Sequence, residues 1–127
     1  MHPKEAGELA DALIAREISR QDEMWGIAND RDDTKNGQLM HAGMAQLDAL
    51  FDRHNGEAEP FGAAPMIFPP DWSGFRDYGS DVANLVVAVA FLRQEIKRKI
   101  AAGEDTTRLA RQASQPYLGD QPNPVSA

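Results

Sequence analysis

The chain has 127 residues and a formal net charge of −7, with a pI near 4.8. This length suits one domain with a modest core. The acidic balance argues against a nucleic-acid-binding surface, because phosphate contacts need clustered Lys and Arg. The absence of cysteine excludes disulfides, cysteine–zinc sites and thiol catalysis. The polar N-terminus and an apolar run of only residues 85–92 predict neither a signal peptide nor a membrane span, so we expect a cytoplasmic protein.

The first predicted element is an amphipathic helix over residues 3–24. Its mostly apolar face repeats at helical spacing and comprises Ala6, Leu9, Ala10, Leu13, Ile14, Glu17, Ile18, Gln21 and Trp25. Pro3 suits the first turn, where its missing N–H costs nothing. Gly26 is typical of the residue that ends a helix.

Glu17 is a carboxylate on this otherwise apolar face, four residues before Gln21. A buried carboxylate needs either a cationic partner or a metal ion. Arg20, or a residue from another helix, would supply the cation. Both interpretations remain open from the sequence.

An acidic segment follows, because residues 26–36 are polar and lack periodic apolar positions. The carboxylates of Asp30, Asp32 and Asp33 could bind a hard cation through oxygen, although their spacing is not that of an EF-hand. A solvated loop with an Asx turn is the alternative.

A second helix is predicted over residues 37–53. Its apolar stripe comprises Leu39, Met40, Gly43, Met44, Leu47, Leu50 and Phe51. Asn36 is a suitable N-cap residue. Asn55 and Gly56 mark the end of the helix.

Residues 54–74 contain four prolines, so no regular helix is expected there. The segment also carries the apolar residues Phe61, Met66, Ile67, Phe68 and Trp72. A loop of this length is usually functional or disordered. Its aromatic content favours an ordered loop that packs on the helices.

The third helix is predicted over residues 76–102. Apolar residues recur at spacings of three and four, namely Val82, Leu85, Val86, Val89, Leu92, Ile96 and Ile100. The β-branched run 85–92 would also suit a buried strand, but the pattern continues to Ala102 without a turn signal and so favours a helix. Because this run is apolar all round, three helices can hardly cover it on every side. Either the proline-rich loop or a second copy would cover it, and the all-round apolar surface favours a helical homodimer.

A short helix capped by Asp105 is predicted over residues 104–113, and residues 114–127 are expected to form a tail. The fold class is therefore all-α, with three main helices plus a short C-terminal helix. Residues 1–113 would form a single helical domain.

Asp77, Asp81 and Asn84 are spaced at i, i+4 and i+7, so they share one face of the predicted third helix. Acids are favoured at helix N-termini, which is sufficient reason for Asp77. Asp81 and Asn84 continue onto the face that holds Ala88 and Phe91, where a polar group needs a reason. A magnesium ion bound to substrate phosphates would be one.

Trp25 and Trp72 each adjoin an acidic segment. An exposed Trp at such a place could stack against a nucleotide base. Packing of the two rings on the core is the alternative.

Four short motifs together resemble a known family. They are Glu17-x-x-Arg-Gln-x-Glu-x-Trp-Gly, Asp32-Asp33-x-x-Asn-Gly-Gln-Leu39, Asp71-Trp-Ser, and Asp81 at the start of a long Ala/Val/Leu helix. Over about residues 15–100 the chain resembles small phage and prophage proteins described as MazG-like. The resemblance implies an all-α, magnesium-dependent pyrophosphohydrolase that converts a nucleoside triphosphate into the monophosphate and pyrophosphate.

The hypothesis of a MazG-like enzyme assigns roles to several residues of this chain. The catalytic carboxylates would be Glu17, Asp77 and Asp81. Mg²⁺ would be held by Asp77 and Asp81, with Asp32 and Asp33 in support. The substrate-binding residues would be Lys35 or Arg76 at the phosphates, Trp25 or Trp72 at the base, and Asn84 beside Asp81.

The chain departs from the family pattern at the metal motifs. The family carries Glu-Glu-x-x-Glu on one helix and Glu-x-x-Asp on a later one. Asp81 matches the final Asp, but Tyr78 stands at its partner position and Asp77 is one residue away. The first motif falls near Gln38, His41 and Gly43, none of which is acidic.

These departures leave a second hypothesis open. The chain could be a non-catalytic helical phage protein that binds a nucleotide, or a host protein through an acidic face, in the host cytosol. An acidic inhibitor that imitates nucleic acid is a third reading of the charge of −7. It ranks last, because the acids cluster near helix entrances instead of forming a phosphate-like stripe.

Overall fold

The computed structural model describes residues 1–26, 34–56 and 64–114. These residues form an all-α fold, which confirms the predicted class of three main helices plus a short C-terminal helix. The helices are α1 (Pro3–Trp25), α2 (Gln38–His54), α3 (Asp81–Ala101) and α4 (Thr107–Ser114). Among the described residues no helix is long and apolar enough to cross a bilayer.

Helix α1 begins and ends where the sequence indicates. Pro3 occupies the first turn, and the Nδ1 atom of His2 accepts a hydrogen bond from the Lys4 backbone N–H at 3.1 Å. Gly26 adopts a left-handed conformation with φ of 62°, and its N–H donates to the carbonyl of Asp22. Glycine tolerates this φ without strain, which explains why the helix stops there.

Helix α2 begins at Gln38, directly after a left-handed Gly37. No side chain caps this helix, so the prediction of Asn36 as N-cap is wrong: its own N–H donates instead to the side-chain oxygen of Gln38 at 2.7 Å. At the other end the predicted stop is confirmed. The N–H of Asn55 donates to the carbonyls of Phe51 and Asp52.

Helix α3 begins at Asp81, five residues later than expected. Gly79 has a φ of 69°, which a right-handed helix cannot include. The Ser80 hydroxyl then accepts a hydrogen bond from the Ala83 N–H at 3.3 Å, as an N-cap does. Asp77 therefore precedes the helix. The alternative of a strand over residues 85–92 is wrong, because all of these residues are helical.

Helices α2 and α3 pack antiparallel within the unit formed by residues 1–97. An added Cβ on Gly43 would lie 3.1 Å from the carbonyl oxygen of Ala88, and Arg53 near the end of α2 contacts Asp81 at the start of α3. Glycine at 43 thus permits the close approach of the two backbones. The buried core cluster consists of Leu39, Ala42, Val87 and Phe91.

The described part of the predicted loop, residues 64–74, is ordered by two turns. The N–H of Phe68 donates to Pro65 and that of Trp72 donates to Pro69. The ring of Phe68 packs edge-on against Trp72, with centroids 6.3 Å apart, and both rings pack against the core cluster. Residues 57–63 lie outside the described part of the chain.

Helix α4 belongs to a second unit that begins at Arg98. The carboxylate of Asp105 accepts a hydrogen bond from the Thr107 N–H at 2.8 Å, so Asp105 caps this helix as predicted. Residues 115–127 of the predicted tail lie outside the described residues.

One side of the α2–α3 pair is apolar and exposed. Eight large side chains, each 37–64% exposed, form a surface that we call the outer face. Its residues are Met40, Met44, Leu47, Phe51, Val82, Leu85, Val89 and Ile96. Much of the apolar stripe predicted on each helix thus faces away from the core of the single chain.

Candidate functional site

The candidate site is a cluster centred on Arg53. Its Nη1 atom donates to Asp77 Oδ1 at 3.0 Å, and its Nη2 atom donates to Asp81 Oδ1 at 2.8 Å. Nη2 also approaches Asn84 Oδ1 at 3.4 Å. We call these four residues the Arg53 cluster. The guanidinium of Arg53 lies where the three oxygen atoms converge.

Asn84 anchors the cluster in the interior, since it is 0% exposed. Its Nδ2 atom donates to Gln46 Oε1 at 2.9 Å and to Asp77 Oδ1 at 3.3 Å. The Nε2 atom of Gln46 in turn donates to the backbone carbonyl of Arg76 at 2.9 Å. Because the neighbours of Nδ2 are acceptors and that of Oδ1 is a donor, these contacts fix the orientation of the Asn84 amide.

Both carboxylates of the cluster are held in the ionised form. The backbone N–H of Gly79, followed by Asn84 and Arg53, lowers the pKa of Asp77. Arg53, followed by His54, lowers the pKa of Asp81, and His54 Nε2 lies 2.6 Å from Asp81 Oδ2. The same hydrogen bond to Asp81 raises the pKa of Arg53. Arg53 therefore offsets one of the two negative charges of this cluster from within the chain.

Glu17 belongs to a second polar group. Arg20 donates two hydrogen bonds to Glu17, from Nε to Oε1 at 2.6 Å and from Nη2 to Oε2 at 2.7 Å. Nη2 also donates to the Tyr78 hydroxyl at 2.9 Å, and Gln21 Nε2 donates to Glu17 Oε2 at 3.2 Å. The pKa of Arg20 is raised by its bond to Glu17. Of the two interpretations of Glu17, the structure shows the cationic partner.

The two tryptophans and Arg76 line one small cavity beside the core. The ring of Trp25 stacks on Phe91, with centroids 5.7 Å apart and planes 12° apart, and Trp72 lies 6.5 Å from the same ring. The cavity has a volume of about 20 Å³, which is enough for about one water molecule. Both Trp rings thus pack on the core.

Arg76 is exposed at this cavity, and its guanidinium lies 5.2 Å from the centroid of the Tyr78 ring. Lys35 lies exposed in the turn before α2. Asp32 and Asp33 lie outside the described residues, so their predicted role in metal binding stays a prediction. Within residues 1–26, 34–56 and 64–114, no group of three or more His, Cys, Asp or Glu side chains could hold a metal ion.

The predicted site residues therefore fall into three places. Asp77, Asp81 and Asn84 meet in the Arg53 cluster. Trp25, Trp72 and Arg76 share the small cavity. Glu17 pairs with Arg20 and joins none of the hydrogen bonds of the Arg53 cluster.

Sequence reasoning missed Arg53 and Gln46, the two α2 residues that organise the site. Arg53 lies 24 residues before Asp77 and 28 before Asp81, so no local spacing relates them. Gln46 carried a usable signal. It follows Gly43 by three residues, so it continues the buried face of α2, and a polar residue there requires a partner.

None of the protein-family models, curated proteins or solved structures compared with the chain matches it. The MazG-like resemblance consequently rests on the four short motifs alone.

Proposed function

We propose that this chain is a non-catalytic, homodimeric helical protein that acts by binding other protein chains. The observation that carries the proposal is the position of Arg53. Its guanidinium contacts the three oxygens that a hard cation would need, from Asp77, Asp81 and Asn84. The guanidinium of Arg53 therefore takes the place of a bound metal ion.

The donor set does not suit Mg²⁺. Phosphoryl chemistry with a bound metal needs several anionic oxygens to hold the ion and to activate water. Here the carboxylates of Asp77 and Asp81 already accept hydrogen bonds from Arg53, and Glu17 is committed to Arg20. A magnesium ion at this cluster would have to displace a bound guanidinium, which carries the same sign of charge.

The cavity also argues against a nucleotide in this conformation. Small-molecule sites usually enclose roughly 300–1,000 Å³, whereas the cavity at Trp25 and Trp72 has room for about one water molecule.

Two exposed surfaces support a role in protein binding. The outer face leaves eight large apolar side chains in contact with solvent, more than a monomer usually exposes together. In addition, residues 1–12, which include the first turns of α1, are exposed along their whole length. A partner chain that covers the outer face would explain why its exposed side chains are apolar. A partner chain on residues 1–12 would explain why the first turns of α1 are helical although they are exposed.

The pyrophosphohydrolase reading of the MazG-like resemblance stays a prediction, and one assay separates it from the proposal. We would measure pyrophosphate release from each nucleoside triphosphate with and without Mg²⁺. The Asp81→Asn variant is the control, because it retains the shape of the side chain but removes its charge. We expect release at the buffer background from both proteins.

The proposal would be overturned by Mg²⁺-dependent release that the native protein shows and that folded Asp81→Asn lacks. Thermal melts against the same nucleotides add a second readout, because a ligand that binds the native state raises the midpoint. We expect no Mg²⁺-dependent shift. A host protein retained in a pull-down would identify a binding partner other than a second copy.

A further inference from the structure

The outer face is one continuous surface. Gly43 on α2 packs against Ala88 and Leu92 on α3. On each helix, the exposed stripe is rotated about the helix axis away from this contact, and the direction of rotation is the same on both helices. Because the helices are antiparallel, the two stripes lie on the same side of the pair. Helix α1 contacts a different stripe of α3, formed by Val87, Phe91 and Gln94. Nothing in the described part of residues 1–97 covers the outer face.

The area of the outer face matches that of a dimer interface. Eight large side chains that are 37–64% exposed leave on the order of 700 Å² of apolar surface, above the roughly 300–600 Å² of the largest patch on a typical monomer. It approaches the roughly 800 Å² that each partner contributes to a standard protein interface. A second helical pair of the same size would cover it.

Charges flank the outer face at two corners. Asp48 follows Met44 by one turn, and Arg93 follows Val89 by one turn. Each charge therefore lies at the edge of its apolar stripe that is farther from the other helix. Asp52 continues the acidic corner and Lys97 the basic one. Because α2 and α3 run antiparallel and each charge lies in the second half of its helix, the two corners are diagonally opposite.

None of these four charged side chains makes an ion pair with another described residue. A partner of a single charge sign would be repelled at one corner. A second copy presents both signs. A two-fold axis that lies in the face, perpendicular to the diagonal between the corners, places the acidic corner of each copy against the basic corner of the other.

We propose that the outer face binds a second copy of this chain, in an isologous dimer with Asp48 of each protomer opposite Arg93 of its partner. The inference rests on the proposed function, since it names the surface and the orientation of the proposed dimer. The α2–α3 pairs of the two protomers cross steeply in this arrangement, with Val89 and Met44 near its centre.

The charge pattern allows a complementation experiment with the full chain. Asp48→Lys and Arg93→Glu each place like charges opposite one another twice per dimer. We expect each variant alone to dimerise about tenfold more weakly in sedimentation equilibrium. In a mixture of the two variants, the heterodimer has one native contact and one contact with reversed signs, so that both contacts pair opposite charges. We expect its affinity to return to that of the native dimer.

The apolar part is tested separately. Val89→Glu buries an unpaired charge at the centre of the interface, and we expect its dimerisation to weaken at least about a hundredfold. Met66→Glu is the matched control, because Met66 is an exposed apolar residue outside both the outer face and residues 1–12. We expect it to dimerise as the native protein does. The helical content of each variant is checked by circular dichroism.

The possible failures are distinguishable from one another. A native chain that stays monomeric at all concentrations overturns the dimer itself, and with it that part of the proposed function. A native dimer that none of the outer-face variants weakens overturns this surface but leaves the dimer standing. Equal weakness of the mixture and of each single variant overturns the pairing of Asp48 with Arg93, even if Val89→Glu fails to fold.

Discussion

Substitution of Arg20 should show how much the ion pair with Glu17 contributes to the free energy of unfolding. Glu17 is 8% exposed, and Arg20 holds it through two hydrogen bonds of 2.6 and 2.7 Å. Breaking a buried ion pair by deleting one partner costs about 3–5 kcal/mol. The Arg20 side chain is 34% exposed, so water replaces part of the lost contact. We therefore expect Arg20→Met to lower the free energy of unfolding by about 2–3 kcal/mol.

The assay is urea unfolding followed by circular dichroism, with Arg16→Met as the control because Arg16 is an exposed cation on the same helix. A loss of this size lowers the urea midpoint by about 1.5–2 M for a domain of this length. The double variant Glu17→Gln/Arg20→Met should be more stable than Arg20→Met alone, since no carboxylate is left unpaired. A loss below about 0.5 kcal/mol for Arg20→Met would refute the reasoning, because it would place the pair among solvated surface bridges.

Three further predictions concern the Arg53 cluster and the α2–α3 contact. The pKa values of Asp77 and Asp81 lie below their ordinary value of 3.8, so their contribution to stability is present above that pH and lost as pH falls through the folded-state values. Midpoints measured from about pH 6 to about pH 2.5 should fall steeply below about pH 4, and a flat profile would contradict this. Asn84→Asp removes the amide donor and adds a carboxylate beside Asp77, and should cost about 2–3 kcal/mol in urea unfolding; an unchanged midpoint would show that the buried network is dispensable. Gly43→Ala places a Cβ 3.1 Å from an α3 carbonyl oxygen and should destabilise the fold by about 1 kcal/mol. Gly7→Ala is the control, because its Cβ would have no atom within 4 Å, and it should stabilise the fold by about 0.5–1 kcal/mol. Higher stability in both variants would mean that the helices do not approach closely at Gly43.

The sequence was sufficient for the existence and order of the helices, because each carries a long apolar repeat and identifiable ends. The start of α3 shows what the repeat misses. Asp77 has the right spacing for the helix, but the left-handed Gly79 and the Ser80 cap decide where the helix begins. Ser80 followed by an acid was a readable cap signal.

Which apolar side is buried could not be read from the periodicity. On α2, Leu39 is buried while Met40 and Met44, from the same predicted stripe, are exposed. A helix with two apolar sides offers both to its neighbours, and only the path of the chain decides which one α1 covers. The same difficulty affected the site. The carboxylates Asp77 and Asp81 were found from the sequence, but their cation was not.

The exposed start of α1 implies a gradient of local stability along that helix. Residues 1–12 are exposed, whereas Gln21 is fully buried. A helical segment without tertiary contacts is only marginally stable in water. Its amide hydrogens should therefore exchange with solvent through fraying, while those near Gln21 exchange only when the helix separates from α3. The part of α1 near Gln21 would then stay packed on α3, whereas residues 1–12 would become ordered on contact with a partner.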